Sequence, residues 1–550
     1  LVLDCQSTGA SPRHGHLLEV GWAITRASDP ATPTVHSRVV ELPEGAELPP
    51  AIARLTGLSA DDLAQACPTV EVWRELAPLA VSMPTVIHFA RFETPFLRRL
   101  QDAHGDDGPL RFETVCTHEI ARRCLPGLPR RGLRALAGYF GMQCGELKRS
   151  AGHVAATVTV WRELVSRLAR EHHIRTLEAL SQWLADTPAP RGKARDYPLP
   201  RARRLSLPEG PGVYRFEDSA GHVLYVGKAI SLKRRVCSYF QKRSGVPERT
   251  LELLTQVKHV DIEVTESALE AAVLECDRIK ELRPPYNRAL RRRGRGVWYA
   301  DPAWSRVAER ASRDTPVGPW LDARLPLGVA AVASALGDGS PTSPPSIPIW
   351  GRAAELSADV FAEGLADLTA ELVARTRIHP TDRASLLRAA HALGPLTDDA
   401  SPPSSESEDS DDGALELDAA DGWTAADVAQ RLRELVTRAA GAQRRAAWLR
   451  RLANASVEFH ERVPRARHRV LTLRDGAIVS ATDVPLGRRL EVAPAERAGS
   501  AATIDLRTYD RLRVLTTELR RLVASQLAVA VHVDHQTLAG ERLARTLAWV

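Results

Sequence analysis

The segment Leu207-Pro-Glu-Gly-Pro-Gly-Val-Tyr214 opens the most informative stretch of this 550-residue sequence. Its Pro/Gly turn runs into a short apolar segment, which predicts a β-strand. A second predicted strand follows the Ala220-Gly221 turn and ends in Leu224-Tyr-Val-Gly-Lys-Ala229. Each of the two strands therefore carries a tyrosine, Tyr214 on the first and Tyr225 on the second.

Two helices are predicted after these strands. The first is basic, covers residues 231–240 and carries Arg235. The second begins at Ser267, because Ser267 and Glu270 have the spacing of a capping box. This second helix carries Glu275, so the strands and helices together predict a small α+β module.

These residues resemble the GIY-YIG nuclease module, in the form found at the front of the bacterial excision-repair nuclease UvrC and its short relative Cho. Gly212-Val-Tyr214 matches the first half-motif, and Tyr225-Val-Gly227 matches the second. The remaining site residues of that family fall at Lys228, Arg235, Glu275 and Asn287. Any one of these residues alone fits an ordinary strand or a solvated surface, but the ordered set is specific.

The chemistry of phosphodiester hydrolysis suits these residue types. The reaction requires an activated water, a charge clamp on the phosphate and a stabilised leaving oxygen. Glu275 offers one carboxylate, which can hold a Mg²⁺ or Mn²⁺ ion that keeps most of its waters. Tyr225 is the candidate general base or relay for the attacking water. A free tyrosine titrates near ~10, so Lys228 or the metal must lie nearby to favour the phenolate.

The other residues of the set have supporting roles. Arg235 suits a phosphate because its guanidinium matches two oxygens at once. We expect Asn287 to orient its neighbours and Tyr214 to tune or relay. Arginines in and just after the module are expected to contact the DNA backbone, and they are Arg234, Arg288, Arg291, Arg292, Arg293 and Arg295.

The first 172 residues have a different pattern. Leu1-Val-Leu-Asp-Cys-Gln-Ser-Thr-Gly9 predicts a buried strand ending in a turn, and Ala151-Gly-His-Val-Ala-Ala-Thr-Val158 runs into a long helix. In layout this region resembles the DnaQ-type proofreading exonucleases of the DEDD class that use a histidine base. The resemblance implies a mixed α/β sheet of the RNase H kind.

The site residues of that exonuclease class are only partly present. The family's Asp-x-Glu motif corresponds to Asp4-Cys5-Gln6, its second aspartate position holds Glu93, and its histidine is His153. The aspartate expected five residues after the histidine is Val158. Because two-metal hydrolysis depends on several carboxylates, we expect an inactive exonuclease domain that grips DNA or organises the protein.

Composition divides the rest of the chain. A basic, Pro-rich linker is expected at 173–206, between the exonuclease region and the module at 207–291. A mostly helical region follows at 292–396, and then comes an acidic, disordered linker at 397–422 that has no basic residue. Residues 423–550 predict an α+β domain of unknown role, so the expected fold class is multidomain α/β.

Several segments carry the α+β prediction for the C-terminal domain. An amphipathic helix is predicted over 425–452 and another over 506–523. The pair Asp475-Gly476 predicts a two-residue hairpin turn. A strand is predicted over 527–533.

The overall composition narrows the setting. The formal charge is +6, and 44% of residues are hydrophobic, with no apolar run near the ~18 residues that span a membrane. All cysteines lie before residue 277 and show no Cys-x-x-Cys pairing, which favours free thiols in a reducing cytoplasm. The local basic stretches make nucleic acid the expected partner, and no membrane association is expected.

The expected function is DNA repair: a metal-dependent, single-strand incision of damaged or distorted duplex DNA, as the resemblance to UvrC and Cho implies. Excision-repair damage-recognition proteins are the expected protein partners. Two alternatives remain open at this stage. One is an active 3′–5′ DNA exonuclease resembling the epsilon subunit of DNA polymerase III, in which Asp4 and Glu93 suffice. The other is a DNA-binding scaffold without catalysis.

Overall fold

The computed structural model describes residues 1–105, 108–143, 145, 147–190, 195–241, 245–288, 290, 296–337, 356–393, 423–461, 467–484 and 504–548. The acidic segment predicted at 397–422 lies outside the described residues, as do Arg291, Arg292, Arg293 and Arg295.

The N-terminal region is built on a five-stranded mixed sheet of order β3-β2-β1-β4-β5. Its strands are β1 (Val2–Ser7), β2 (Leu17–Ala23), β3 (Val35–Val39), β4 (Thr85–Ile87) and β5 (Thr114–Cys116). The first three strands pair antiparallel, whereas β4 is parallel to both of its neighbours. The mixed α/β sheet predicted for this region is therefore confirmed.

Helices cover both faces of this sheet. They are α1 (Pro50–Thr56), α2 (Ala60–Ala64), α3 (Thr69–Ser82), α4 (Ala90–His104), α5 (Thr117–Cys124), α6 (Leu133–Tyr139) and α7 (Ser150–Glu171). The long helix α7 buries Val154, Val158 and Leu164 in one apolar cluster with Val2 of β1. This packing holds His153, near the start of α7, against the first strand.

Short helices lead into the second region, namely α8 (Leu177–Asp186) and α9 (Arg201–Leu205). The nuclease-like module follows with β6 (Gly212–Glu217), β7 (Val223–Ala229), α10 (Leu232–Tyr239), α11 (Glu248–Gln256), β8 (His259–Val264) and α12 (Ala268–Leu282). Its antiparallel sheet has the order β7-β6-β8. The strand β8 was not foreseen from the sequence, although the two tyrosine-bearing strands and the helix beginning after Ser267 were.

The prediction of a mostly helical region at 292–396 is wrong for its first part. A three-stranded sheet of order β10-β9-β11 occupies it, and its strands are β9 (Trp298–Ala300), β10 (Val307–Ala308) and β11 (Val317–Trp320). Aromatic residues favour strands, and Trp320 is buried against Trp304 there. Helices begin only afterwards, as α13 (Arg324–Gly337), α14 (Ala358–Thr376) and α15 (Arg383–Leu393).

The C-terminal region begins with the 28-residue helix α16 (Ala425–Leu452). Its sheet has the order β14-β13-β12-β15-β16 and is antiparallel throughout. The other elements are β12 (Ser456–Glu461), β13 (Arg467–Arg474), β14 (Ala477–Val484), α17 (Leu506–Ala524), β15 (Val529–Val533), β16 (Gln536–Ala539) and α18 (Gly540–Ala548). The hairpin predicted at Asp475-Gly476 is present, and both residues have positive φ.

The helix α16 belongs to two cores at once. Val428 and Leu435, in its first half, are buried with Phe361 of α14. Trp448, in its second half, is buried with Leu515 of α17. The helical region and the C-terminal sheet are thus joined by one continuous helix, which composition alone did not indicate.

The C-terminal region also packs against the nuclease-like module. Leu269 and Val273 of α12 lie in the same apolar cluster as Leu515 and Leu519 of α17. Ion pairs flank this contact: Arg469 lies 2.9 Å from Glu270, and Arg511 lies 2.7 Å from Asp277. The helix α12, which carries Glu275, is therefore held against the C-terminal region by apolar packing and by an ion pair on each side of it.

Candidate active site

The two motif tyrosines meet across neighbouring strands. Tyr214 on β6 is fully buried and pairs in register with Gly227 on β7. The ring of Tyr214 covers this glycine so closely that an added Cβ there would lie 2.4 Å from its hydroxyl oxygen. The ring centroids of Tyr214 and Tyr225 are 6.1 Å apart. The glycine of the second half-motif is thus required by the packing of the tyrosine of the first.

A third tyrosine completes this cluster. Tyr239, at the end of α10, places its hydroxyl 2.8 Å from the hydroxyl of Tyr214, and its ring centroid lies 6.4 Å from that of Tyr225. The exposed Arg235, one turn earlier, lies over the ring of Tyr239 and donates to its hydroxyl at 3.3 Å. Tyr239 was not foreseen, although its spacing of four residues from Arg235 on a predicted helix was a usable signal.

Glu275 faces this cluster from α12. Its Oε1 accepts a hydrogen bond of 2.9 Å from the backbone N–H of Lys228, and the side chain is half-buried. Burial raises the pKa of Glu275 to about 7, with a further increase from the charge of Glu518, although Lys228 and Arg235 act in the opposite direction. Burial also raises the pKa of Tyr225 well above its usual value, as do Tyr239 and Glu275, while Arg235 lowers it.

The side chain of Lys228 pairs with a carboxylate of the C-terminal region. Its Nζ lies 2.5 Å from Oε1 of Glu518, a residue of α17 that is 290 positions further along the chain. Without a metal the pKa of Tyr225 is raised, and the cation that opposes the rise is Arg235. That Lys228 or a metal favours the Tyr225 phenolate therefore stays a prediction. No local sequence signal could have pointed to Glu518.

Asn287 fixes the strand that carries Tyr225. Its Oδ1 accepts from the backbone N–H of Val226, and its Nδ2 donates to the carbonyl of the same residue, both at 2.9 Å. The side chain is buried. Asn287 therefore acts on backbone between Tyr225 and Gly227, consistent with the orienting role expected for it.

The donor set at Glu275 fits a hydrated divalent cation. A half-buried carboxylate whose pKa is raised by burial lacks a full counter-charge, and a divalent ion would supply one. One carboxylate with several waters suits Mg²⁺, which dehydrates reluctantly. Among the described residues, no group of three or more His, Cys, Asp or Glu side chains could hold a metal ion. Any metal at Glu275 would thus keep most of its coordination to water.

The residues of the exonuclease-like site also converge, but they bond to the protein itself. Asp4 Oδ1 lies 3.1 Å from Nδ1 of His153, and Glu93 accepts from the backbone N–H of Cys5 at 3.0 Å. Gln6 donates to a backbone carbonyl at 2.6 Å, and Val158 is buried in the apolar cluster of α7. Burial raises the pKa of Glu93 well above its usual value, and the nearby Asp4 adds to this.

Two of the predicted DNA-contacting arginines are described. Arg234 on α10 and Arg288 after the module are both exposed. The other predicted contacts lie outside the described residues. Arg204 of α9 belongs to the basic linker expected at 173–206, and its guanidinium lies 4.2 Å from the ring centroid of Phe240.

Comparisons with known proteins agree with this arrangement. A family model for the UvrC-like GIY-YIG domain matches residues 210–288, and one described as Exonuclease matches residues 1–155. The chain therefore carries an exonuclease-type domain followed by a UvrC-like GIY-YIG domain. The two resemblances stated from the sequence are confirmed.

Individual relatives cover parts of the chain. A putative bifunctional exonuclease/endonuclease protein of Mycobacterium tuberculosis is 34% identical over 284 residues, which is 50% of this chain and 42% of that protein. The UvrABC system protein C of Legionella pneumophila is 54% identical over 86 residues, covering 16% of this chain and 14% of the relative. The chain thus spans less than half of the length of these curated relatives.

Solved structures match with low overall TM-scores. The magnesium-bound GIY-YIG endonuclease domain of UvrC from Thermotoga maritima is 34% identical, with a TM-score of 0.15, and the match covers 16% of this chain and 94% of that one. Exonuclease I of E. coli in complex with a dT13 oligonucleotide is 12% identical, with a TM-score of 0.29, and the match covers 39% of this chain and 48% of that one. No helix of the described residues is long and apolar enough to cross a membrane.

Proposed function

We propose that this protein is a DNA endonuclease that incises one strand of damaged or distorted duplex DNA at the GIY-YIG site. The observation that carries the proposal is the meeting of Tyr225, Glu275 and Arg235 around Tyr239, beside an exposed basic helix. Tyr225 lies on β7, Arg235 on α10 and Glu275 on α12, so all three elements are needed to bring these groups together. The carboxylate of Glu275 and the exposed guanidinium of Arg235 suit one hydrated metal ion and one phosphate.

Each site residue has its own role in the proposed incision. Arg235 is exposed and binds the scissile phosphate, where its positive charge offsets charge that develops in the transition state. The raised pKa of Tyr225 favours its protonated hydroxyl, which orients the attacking water. Asn287 holds the backbone of β7 so that Tyr225 stays in place. Glu275 would hold Mg²⁺ or Mn²⁺, which when bound stabilises the leaving oxygen.

The exonuclease-type domain serves a binding role in this proposal. Its carboxylates are Asp4 and Glu93, while Gln6 and Val158 stand where the family keeps acidic ligands. A pair of divalent ions would be poorly neutralised by such a set. We place the protein in the cytoplasm, where a repair role would bring it together with damage-recognition proteins. The similarity to UvrC and the free thiols of the described cysteines support this setting.

A second candidate function has one observation in its favour. Asp4 is buried and lies 3.1 Å from the partly exposed His153, and the buried Asp4 Oδ2 and Gln6 Oε1 have no hydrogen-bond partner. Unpaired buried oxygen atoms are costly, so a cation that binds them would be stabilised. These oxygen atoms would support the activity of a 3′–5′ exonuclease that relies on Asp4 and Glu93.

One assay separates the candidates. A 5′-labelled duplex with one internal lesion is incubated with the full chain and Mg²⁺, and the products are sized. We expect a discrete internal nick that Tyr225→Phe and Glu275→Gln both abolish, with Asp4→Ala unaffected. Stepwise shortening that Asp4→Ala removes would support the exonuclease. Binding without any cleavage would leave only a DNA-binding scaffold.

A further inference from the structure

The motif lysine of the nuclease-like module, Lys228, is held by a carboxylate from outside the module. Lys228 follows Gly227 of the second half-motif, and its Nζ lies 2.5 Å from Glu518 Oε1. The side chain of Glu518 is 6% exposed and that of Lys228 is 36% exposed. The second oxygen of Glu518 accepts from Arg521 at 2.7 Å. The carboxylate is thus saturated by two cations, which makes it a poor metal ligand.

The position of Glu518 is fixed by its helix. The helix α17 buries Leu515 and Leu519 in the apolar cluster that also contains Leu269 and Val273 of α12. Arg511, two turns before Glu518, pairs with Asp277 of α12 at 2.7 Å. The carboxylate is therefore set against the site by packing on both sides, and is not a mobile surface group.

We propose that Glu518 is a positioning residue of the nuclease site, supplied by the C-terminal domain, which fixes the ammonium of Lys228 beside Glu275. This inference rests on the proposed endonuclease function. It gives the C-terminal domain a role, since removal of α17 would leave Lys228 without its partner. Glu275 accepts from the backbone of the same lysine at 2.9 Å, so the two carboxylates hold opposite ends of one residue.

The charges at this point argue for positioning over direct DNA binding. A carboxylate repels a phosphate, so Glu518 cannot contribute attraction of its own to DNA. A lysine side chain is long and flexible, and a buried partner restricts it to one direction. The conformational entropy is then lost on folding and not during the reaction. The expected signature of Glu518 is therefore an effect on the rate of cutting, without loss of DNA affinity.

The test is a double-mutant cycle on single-turnover cutting, with DNA binding measured separately. We expect Glu518→Ala to lower the cutting rate about tenfold in the otherwise unchanged chain, and less than about twofold in the Lys228→Met background. The Kd for DNA, measured without metal, should stay the same or become tighter in Glu518→Ala. Glu518→Gln, which keeps an acceptor for Lys228, should retain more activity than Glu518→Ala.

The controls separate positioning from folding. Glu541→Gln, on the exposed pair of α18 with Arg545, should leave cutting and binding unchanged. If the chain with Lys228 and Glu518 intact does not cut, the proposed endonuclease function fails and this inference with it. If that chain cuts and Glu518→Ala cuts equally well or faster, only the positioning role is overturned. Equal losses in both backgrounds, or a parallel loss of DNA affinity, would also overturn it, because they indicate a purely structural role.

Discussion

At the scale of single residues, the site depends on Glu275, a carboxyl group whose ionised form is disfavoured by burial. Burial raises the pKa of Glu275 to about 7, and the free energy of folding bears the cost of ionising it. The motif identified this residue from the sequence, because its place on a helix that begins after the N-cap Ser267 is a local feature. Glu518, the partner of Lys228, could not be predicted, since only the packed α17 brings it near.

We predict that Glu275→Gln stabilises the protein while it abolishes cutting. A carboxyl group whose pKa is raised on folding contributes stability below its unfolded value of 4.5, and loses it as pH rises through about 7. At pH 8 the substitution should therefore raise the free energy of unfolding by roughly 2 kcal/mol, since one pKa unit corresponds to about 1.4 kcal/mol and solvent relieves part of the shift. Urea unfolding at pH 8 and pH 4.5 measures this, and an equal gain at both values would contradict it.

A second prediction concerns the glycine under Tyr214. In Gly227→Ala the new Cβ would lie 2.4 Å from the Tyr214 hydroxyl and 2.9 Å from the Tyr225 ring, so one of these rings must move. We expect a loss of about 1–3 kcal/mol in unfolding free energy and a large loss of cutting. Gly210→Ala is the matched control, because nothing lies within 4 Å of its added Cβ. Similar stability of the two variants would refute the packing argument.

At the scale of elements, regular local patterns were predictable and long-range ones were not. The strands bearing Tyr214 and Tyr225 and the Asp475-Gly476 hairpin all carry turn residues next to β-forming runs. The strand β8 and the small sheet β9–β11 were missed, because short strands acquire stability only from their neighbours. The helix α16 was predicted in its full length, but its division between two cores depends on tertiary packing.

The link between Asn287 and β7 gives an element-scale prediction. In Asn287→Ala the backbone N–H and C=O of Val226 lose their partner and remain buried. We expect a cost of about 1–3 kcal/mol, together with faster amide hydrogen exchange along β7. Asn454→Ala provides a comparison, because the hydrogen bond that Asn454 accepts from the backbone N–H of Asp475 is exposed. Unchanged exchange at Val226 in Asn287→Ala would disprove the clamp.

At the scale of the whole molecule, the C-terminal domain packs against the GIY-YIG module through the helix α12. Arg469 is 6% exposed and bonds both Glu270 of α12 and Asp483 of β14. The C-terminal domain thus bonds directly to the helix that carries Glu275. Composition indicated a separate domain of unknown role, since charge patterns on distant segments do not reveal which of them meet.

Breaking this contact should uncouple the two parts. Arg469→Ala removes the partner of a mostly buried carboxylate, and such losses cost about 3–5 kcal/mol. We expect limited proteolysis to cleave the protein more readily, and nicking to fall as Glu518 moves away from Lys228. Arg545→Ala, at an exposed pair, should leave both measurements unchanged. Normal protease resistance in Arg469→Ala would contradict this view of the interface.

The most direct test of the central claim uses a covalently closed plasmid that carries lesions. A closed circle has no ends, so only an endonuclease can act on it. With Mg²⁺ the protein should convert the supercoiled form to nicked circles, and Glu275→Gln should leave it supercoiled. A plasmid that stays closed, or one that Glu275→Gln nicks as well as the unaltered chain does, would contradict the account.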